Sequence, residues 1–364
     1  MTGIAAKVRR GERLSAAEGL QLLTSTDLLT LGRLADQARR DKVGDAVYFV
    51  VNTHLNHTNV CWLNCKFCAF SRRPGDPEAY LMDPEEVESR CASLAGRGFR
   101  ELHIVGGVHP GLRLEYYEAI LRAARRRLPE IMIQAFTAVE VDYLAGKAGL
   151  SLSACLERLR AAGLDALPGG GAEIFAPRVR ELVCPHKIGA DRWLEVHAAA
   201  HALGIRSNAT LLYGHLERPD EVVDHLIRLR ELQDHTGGFL AFAGFAFHPE
   251  NTALAREYGL SGETTGYEDL RLLAVARLLL DNFAHVKAFW MTMGLKLAQV
   301  SLSFGVNDLD GTVMEERIVH AAGAETGQMV PKEEFIELIR QAGRVPVERD
   351  TLYRVIRTYQ APRS

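Results

Sequence analysis

The run Val47-Tyr-Phe-Val-Val-Asn-Thr-His54-Leu-Asn56-His57-Thr-Asn-Val-Cys61-Trp62-Leu-Asn-Cys65-Lys-Phe67-Cys68-Ala-Phe70 joins two signals that decide how the chain is read. Val47 to Val51 is apolar and either β-branched or aromatic, the composition of a strand buried on both faces. Polar Asn56-His-Thr-Asn then breaks the strand, and Cys61, Cys65 and Cys68 follow at C-x3-C-x2-C spacing. Three thiolates on one short loop can close round a single cubane iron–sulfur cluster, whereas a cluster held wholly by protein takes four cysteines. The spacing therefore leaves one iron open to a small chelating ligand, such as the amine and carboxylate of an amino acid. Trp62, Phe67 and Phe70 are placed to shield such a cluster from water. The competing reading is a structural zinc site, which needs four Cys or His ligands, with His57 or Cys91 completing the set. Cys91, Cys155 and Cys184 lack any such spacing and read as ordinary thiols.

Outward from this run, short β-rich segments alternate with amphipathic helices, the sequence form of βα units round a parallel sheet. Further strands are expected at 101–105, 132–136, 166–167, 206–212, 239–245, 286–290 and 300–304. Helices are expected at 84–97, 116–128, 153–162, 191–203, 219–233 and 267–282. Eight strands in one right-handed βα succession imply an α/β fold, a (β/α)8 TIM-type barrel, with active residues on loops at the C-terminal strand ends. An open doubly wound sheet is the alternative. Residues 1–45 place leucines at helical spacing and read as an N-terminal helical cap, residues 46–306 as the barrel, and residues 307–364 as a C-terminal helical extension packing on it. That extension carries helices at about 312–322 and 331–342.

The 364 residues suffice for one large barrel with extensions, at ~150 residues per ordinary domain. With 47% apolar and 24% charged residues and a net charge of −3, the composition is that of a soluble globular enzyme. A duplex-binding protein wants a basic surface field, so nucleic acid is not expected as a partner. No apolar run approaches the ~20 residues that cross a bilayer, and no secretory signal opens the chain. A cytoplasmic location is expected, where six cysteines stay reduced.

The cysteine loop after the first strand resembles that of radical S-adenosylmethionine (SAM) enzymes. Further segments resemble the menaquinone (futalosine-pathway) branch of that superfamily: Gly106-Gly-Val-His-Pro-Gly111, Gly169-Gly-Gly-Ala-Glu-Ile-Phe175, Ser207-Asn-Ala-Thr-Leu-Leu-Tyr-Gly-His215, Phe247-His-Pro-Glu-Asn-Thr252 and Phe304-Gly-Val-Asn-Asp-Leu-Asp-Gly-Thr312. The last segment is similar to the aminodeoxyfutalosine synthase family. The sister dehypoxanthine futalosine cyclases usually carry an Asn-Asp-Phe-Gly-Ser-Thr type segment there. The resemblance implies that Cys61, Cys65 and Cys68 ligate a [4Fe–4S] cluster, that SAM chelates the fourth iron, and that one electron from a reducing partner such as flavodoxin or ferredoxin cleaves it to a 5′-deoxyadenosyl radical. It further implies addition of that radical to 3-[(1-carboxyvinyl)oxy]benzoate, aryl migration and decarboxylation, giving 6-amino-6-deoxyfutalosine and methionine. A hydrogen-abstracting cyclase of the same superfamily is the near rival, and a zinc-stabilised binding or scaffold protein the distant one.

The resemblance also nominates residues. Gly106 and Gly107 form the turn whose backbone carbonyls reach the SAM amino group, with Val108 where a Glu often stands. Glu173 takes the ribose hydroxyls, and Asn208 and Thr210 point to one face of the strand at 206–212 by period-two alternation. Glu217, in Gly214-His-Leu-Glu217, resembles the family's glutamate on the adenine side; a helix-start charge ahead of Pro219 is the alternative. A dianionic substrate needs convergent positive charge or donors, for which Arg72, Arg73, His248 and Lys287 are candidates, Arg72 and Arg73 also reading as a solvated turn and Lys287 as the partner of a core carboxylate. His248, Asn307 and Asp308 are the expected catalytic residues. Asp310 either joins them or caps the next helix, and His54 and His57 either line the cluster-side wall or are structural.

Overall fold

The computed structural model describes residues 2–313, 317–324, 326–327 and 329–360. In it the opening strand is interrupted at Val51, giving β1 (Ala46–Val50) and β2 (Asn52–Leu55). Seven more parallel strands follow in chain order: β3 (Glu101–Ile104), β4 (Met132–Ala135), β5 (Ala166–Leu167), β6 (Arg206–Tyr213), β7 (Phe239–Ala246), β8 (His285–Ala288) and β9 (Asp308–Gly311). The hydrogen-bonded order runs β1-β9-β8-β7-β6-β5-β4-β3-β2. Because β1 and β2 are consecutive parts of one strand, its two ends meet and the sheet closes into an eight-stranded barrel.

The N-terminal cap is helical, as α1 (Thr2–Arg9), α2 (Ala16–Leu23) and α3 (Leu28–Val43). Ser15 and Glu18 form a reciprocal capping box at α2, and the Asp27 carboxylate accepts the Thr30 N–H at α3. The crossovers are α4 (Pro84–Leu94), α5 (Leu114–Arg127), α6 (Ala138–Ala148), α7 (Leu152–Ala162), α8 (Pro177–Val183), α9 (Ala190–Ala202), α10 (Pro219–Thr236), α11 (Ala253–Tyr258) and α12 (Gly266–Leu279). Strand alternation sorts the side chains: Leu102 and Ile104 of β3 are fully buried in the hydrophobic core, while Glu101 and His103 face the barrel interior. No helix among the described residues is long and apolar enough to cross a membrane.

One expected strand is wrong. Residues 295–301 form helix α14 (Leu295–Ser301), after the short α13 (Trp290–Met293). Ala298, Ser301 and Leu302 are buried and Val300 is exposed, a helical period rather than alternation. The eighth barrel strand is β9 instead, whose Asp-Leu-Asp-Gly reads locally as a turn. Its neighbours impose the strand: the Tyr48 N–H donates to the Asn307 carbonyl at 2.9 Å, the Asn307 N–H to Val286 at 3.1 Å and the Thr312 N–H to Val50 at 3.0 Å.

The segment 307–364, expected as helical, therefore contributes β9 to the barrel and two more strands. β10 (Val345–Arg349) runs parallel to β1, and β11 (Val355–Thr358) is antiparallel to β10. Of the helix expected at 312–322, only α15 (Ile318–Ala321) forms, and residues 314–316 lie outside the described residues. The helix expected at 331–342 is α16 (Lys332–Gln341). The turn after β10 stops the barrel at its strand starts: Thr351 Oγ1 donates to Glu101 Oε2 at 2.7 Å, and the Tyr353 ring stacks on His285 at 3.7 Å between centroids.

Candidate active site

The loop after β2 is held by its own polar residues. Asn59 donates through Nδ2 to the Glu78 carbonyl at 2.9 Å and accepts the Tyr80 N–H at 2.8 Å; Thr58 Oγ1 donates to the Tyr80 carbonyl at 2.6 Å. Cys61 and Arg72 are tied by a backbone bond of 2.9 Å. Asn64 sits in the left-handed region at φ 50°, a conformation Asn tolerates better than most residues, and so turns the chain between Cys61 and Cys65. Against this loop lies Gly106-Gly107. A Cβ on Gly107 would stand 2.3 Å from the Val60 carbonyl oxygen, and one on Gly106 2.5 Å from the His57 ring. Glycine is required at both by close approach. The Val108 N–H then points at Cys61 Sγ, 3.4 Å away.

Cys61, Cys65 and Cys68 form one wall of a cavity of about 320 Å³ inside the barrel. Burial pushes the Cys61 and Cys65 thiols up, a cost that metal ligation offsets by holding the thiolate. Among the described residues, no three His, Cys, Asp or Glu side chains converge to hold a single metal ion. Cys91 is fully buried on α4, and His57 is enclosed by Tyr116, Tyr117 and Phe136. The loop thus offers three thiols at a cavity wall, the donor set of an open-cornered cubane, and its proposed zinc partners point elsewhere.

Glu173, Asn208 and Thr210 also line the cavity. Glu173 adopts φ 46°, and its Oε1 accepts from Lys187 Nζ, whose charge lies 5.0 Å over the Phe67 ring. Asn208 Oδ1 is buried without a hydrogen-bond partner, while Thr210 Oγ1 donates to the Gly169 carbonyl at 2.7 Å. His248 lines the cavity too; its Nε2 is 3.1 Å from the Thr292 carbonyl and its Nδ1 2.9 Å from Glu263 Oε1. Lys287 and Asp310 form a buried pair at 2.8 Å on the same surface, and Asp310 has φ 62°. Burial pushes the Asp310 carboxyl up, but the Lys287 ammonium outweighs it and holds the group at about 2.

Several expected residues are elsewhere. Asn307 and Asp308 do not line the cavity. Asn307 Oδ1 accepts from Arg277 Nη2 at 2.5 Å and the Val286 N–H at 3.0 Å, and Asp308 Oδ2 accepts from Arg349 Nε at 2.7 Å. They lie before and at the start of β9, at the closed end, because the strand begins eight residues later than the alternation at 300–304 suggested. Glu217 spends its carboxylate on the Gly214 and His215 N–H groups, at 2.5 and 3.0 Å. Arg72 pairs with Glu78 and donates to nearby loop carbonyls, leaving the cavity wall to its neighbour Ser71; Arg73 also stands outside that wall. His54 lines the cavity, whereas His57 lies behind Gly106.

Sequence reasoning missed Lys187, His103, Gln134 and Glu101 at the wall. For the last three a signal exists. Glu101-Leu-His103-Ile and Met-Ile-Gln134-Ala place polar residues at alternate positions of strands that should be apolar on both faces.

A closed parallel barrel with three cysteines on the loop after its first strand, opening on an internal cavity, defines a radical SAM enzyme. Residues 55–229 match the radical SAM superfamily and residues 236–361 the CofH/MqnC C-terminal region. An aminodeoxyfutalosine synthase of Thermus thermophilus is 49% identical over 98% of this chain and 96% of its own length, and one of Streptomyces coelicolor 43% identical over 98% and 94%. A 5-amino-6-(D-ribitylamino)uracil–L-tyrosine 4-hydroxyphenyl transferase of Methanopyrus kandleri is 41% identical over 98% and 95%. The crystal structure of methylornithine synthase shares the fold, with a TM-score of 0.73 at 17% identity over 94% of this chain and 97% of that one. The chain belongs to the radical SAM superfamily and, within it, to the family that these synthases and transferases share. Enzymes of this superfamily use a [4Fe–4S] cluster and SAM.

Proposed function

We propose that the chain is an aminodeoxyfutalosine synthase: it joins the 5′-deoxyadenosyl group of SAM to 3-[(1-carboxyvinyl)oxy]benzoate, with aryl migration and loss of the side carboxylate, giving 6-amino-6-deoxyfutalosine and methionine in the cytoplasm. The observation that carries this reading is the 49% identity to the Thermus synthase across 98% of the chain.

Cys61, Cys65 and Cys68 would hold the cluster, which when bound supplies the single electron that splits SAM; a small reducing protein such as flavodoxin or ferredoxin restores it. Gly106 and Gly107 bring backbone against the cysteine loop, opening room for the methionine part of SAM. Glu173, fixed by Lys187, and the unpartnered Asn208 Oδ1 accept from the ribose hydroxyls. Phe245, Phe247, Phe289, Val105 and Leu212 give an apolar lining that keeps water from a reactive carbon radical. His248 donates from Nε2 to the Thr292 carbonyl, which fixes its ring in the wall. Holding both reactants in one dry cavity converts a bimolecular addition into an intramolecular one.

The 41% identity to the Methanopyrus transferase supports a second reading, hydroxyphenyl transfer from tyrosine to 5-amino-6-(D-ribitylamino)uracil. Anaerobic, reconstituted protein given SAM, dithionite and either the enol ether or the tyrosine and uracil pair separates the readings by mass spectrometry. The synthase reading expects an adenosylated aryl product from the enol ether alone. Free 5′-deoxyadenosine as the only nucleoside from the enol ether, or a product only from the pair, overturns it.

A further inference from the structure

Three loops meet around Trp62. The Trp62 N–H donates to the Val108 carbonyl at 3.2 Å, and the Lys66 N–H to the Val183 carbonyl at 2.8 Å, so the cysteine loop is pinned between residues 106–113 and residues 184–189. Trp62, expected to screen the cluster, does not line the cavity. It is 42% exposed, with the Tyr143 ring at 6.0 Å and the His186 ring at 6.1 Å. One residue, bonded directly to Cys61, therefore joins the cysteine ligands to the outer surface. A single exposed apolar side chain is ordinary, but an aromatic group rimmed by charge is the anatomy of an interface.

The rim is cationic, in a chain whose net charge is −3. Residues 56–74, 106–113 and 184–189 carry Lys66, Arg72, Arg73, Arg113 and Lys187 and no Asp or Glu. Part of that charge is spent: Lys66 pairs with Glu257 at 2.7 Å, Arg72 with Glu78 at 2.6 Å, and Lys187 with Glu173. Arg73, Arg113 and, on α6, Lys147 are exposed and make no ion pair among the described residues. Lys147 Nζ donates instead to the Pro110 carbonyl and lies 5.4 Å over the Tyr143 ring, which brings its charge to the edge of the aromatic group. The acids on the adjoining helices offset little of this. Asp142, beside Tyr143, is held by Arg192 at 2.6 Å, which leaves the exposed Glu181 of α8.

We propose that this surface, centred on Trp62, docks a small acidic protein that carries single electrons. The inference rests on the three-cysteine cluster and is independent of which substrate the cavity takes. One electron leaves the carrier and enters the cluster; no bond of this chain forms or breaks. Trp62, Tyr143 and His186 supply the dry centre of the contact, where aromatic residues concentrate binding energy. Lys147, Arg73 and Arg113 supply the charge that steers an acidic partner and sets its orientation. A patch of this size suits a transient encounter, since electron-transfer complexes lie at the small end of protein interfaces. Docking here brings the carrier to the thin side of the cysteine loop and leaves the cavity free for its ligands.

The test mixes oxidised holoprotein, without SAM or substrate, with flavodoxin hydroquinone in an anaerobic stopped-flow experiment and follows cluster reduction by absorbance, per loaded cluster. The wild-type second-order rate is expected to fall steeply as salt is added. Lys147→Glu is expected to be about fivefold slower at low salt and to approach wild type at high salt. Photoreduction by 5-deazariboflavin, which is uncharged, is expected to be the same in both. Arg33→Glu on α3 makes the same change of net charge on the N-terminal cap and is expected to leave the flavodoxin rate unchanged. The proposal is overturned if Lys147→Glu is reduced by flavodoxin as fast as wild type, or if Arg33→Glu slows the reaction equally. A wild-type rate that ignores salt overturns it too, as does a wild type that deazariboflavin reduces and flavodoxin does not. If Lys147→Glu does not load a cluster, Arg73→Glu takes its place in the same comparison, with the same outcomes decisive. A wild-type protein that loads no cluster rejects the radical SAM reading itself.

Discussion

At the upper end of the cavity three cysteines come from one loop of the chain, packed against two glycines. At the lower end His54, His103, Gln134, Lys287 and Asp310 come from five adjacent strands of the eight-stranded barrel. The upper end needs thiols on a loop free to wrap a group larger than any side chain, and a short loop with fixed spacing supplies that. The lower end needs polar atoms at fixed positions, and rigid strands supply that. The first construction survives loss of a distant contact but not of a ligand; the second depends on the register of every strand around it.

The largest effect expected follows from the first construction. Cys65→Ala removes one of the three thiols proposed to hold the cluster, so iron and sulfide should fall to background and product formation to zero while the barrel still folds, checked by metal analysis and circular dichroism. Next comes the closed end. Asp308→Asn leaves the Arg349 guanidinium buried without its partner, and breaking such a pair costs about 3–5 kcal/mol. Denaturant titration should show that loss with KM for SAM and the enol ether unchanged; an intact protein with altered KM would restore Asp308 to the site.

Acid should act on both regions at once. Burial holds His57 at about 3, His103 and His201 at about 4, His225 at about 3 and His285 at about 2. The unfolded chain protonates each near pH 6.5 while the fold refuses, so stability is fully present above pH 6.5 and is lost as pH falls toward these values. Glu140 runs the other way. It caps α6 through Thr137, whose N–H donates to Oε2 at 2.7 Å, and burial pushes its carboxyl up to about 7. Its folded value is raised, so its contribution is present below pH 4.5 and fades as pH rises through 7. Glu140→Gln should therefore steepen the rise in melting temperature between pH 5 and pH 7.5; an unchanged slope would show that Glu140 titrates normally.

The smallest effect separates a loop clamp from a ligand. Glu217→Ala removes two backbone bonds of its own turn, worth about 1–2 kcal/mol together. A modest fall in melting temperature with unchanged KM for SAM is expected, and a large rise in that KM would return Glu217 to the adenine side.

The upper end was legible because its information is contiguous: C-x3-C-x2-C puts three thiols on one short loop, and the structure sets all three at the cavity wall. Barrel class was legible too, since β-rich and amphipathic segments alternate along the chain. The lower end was only half legible. Lys287 stood out for its positive charge on a strand and His54 as a strand-end histidine, but which residues share a ring of the barrel depends on strand register, which no local pattern gives. Asn307 and Asp308 failed for the same reason. The alternation Val300-Ser-Leu-Ser-Phe304 imitates a strand, while the real strand is polar, four residues long and held in place by β1 and β8. Lys187 gave no signal because its loop, after α8, carries neither period nor motif.

The most direct test of the account is the electron paramagnetic resonance spectrum of the dithionite-reduced holoprotein, recorded with and without SAM. With about four irons per chain on three cysteines, the account predicts a reduced-cluster signal whose g-values move when SAM is added, because SAM binds the iron that no cysteine holds. A fully loaded cluster whose signal does not move on adding saturating SAM would contradict it.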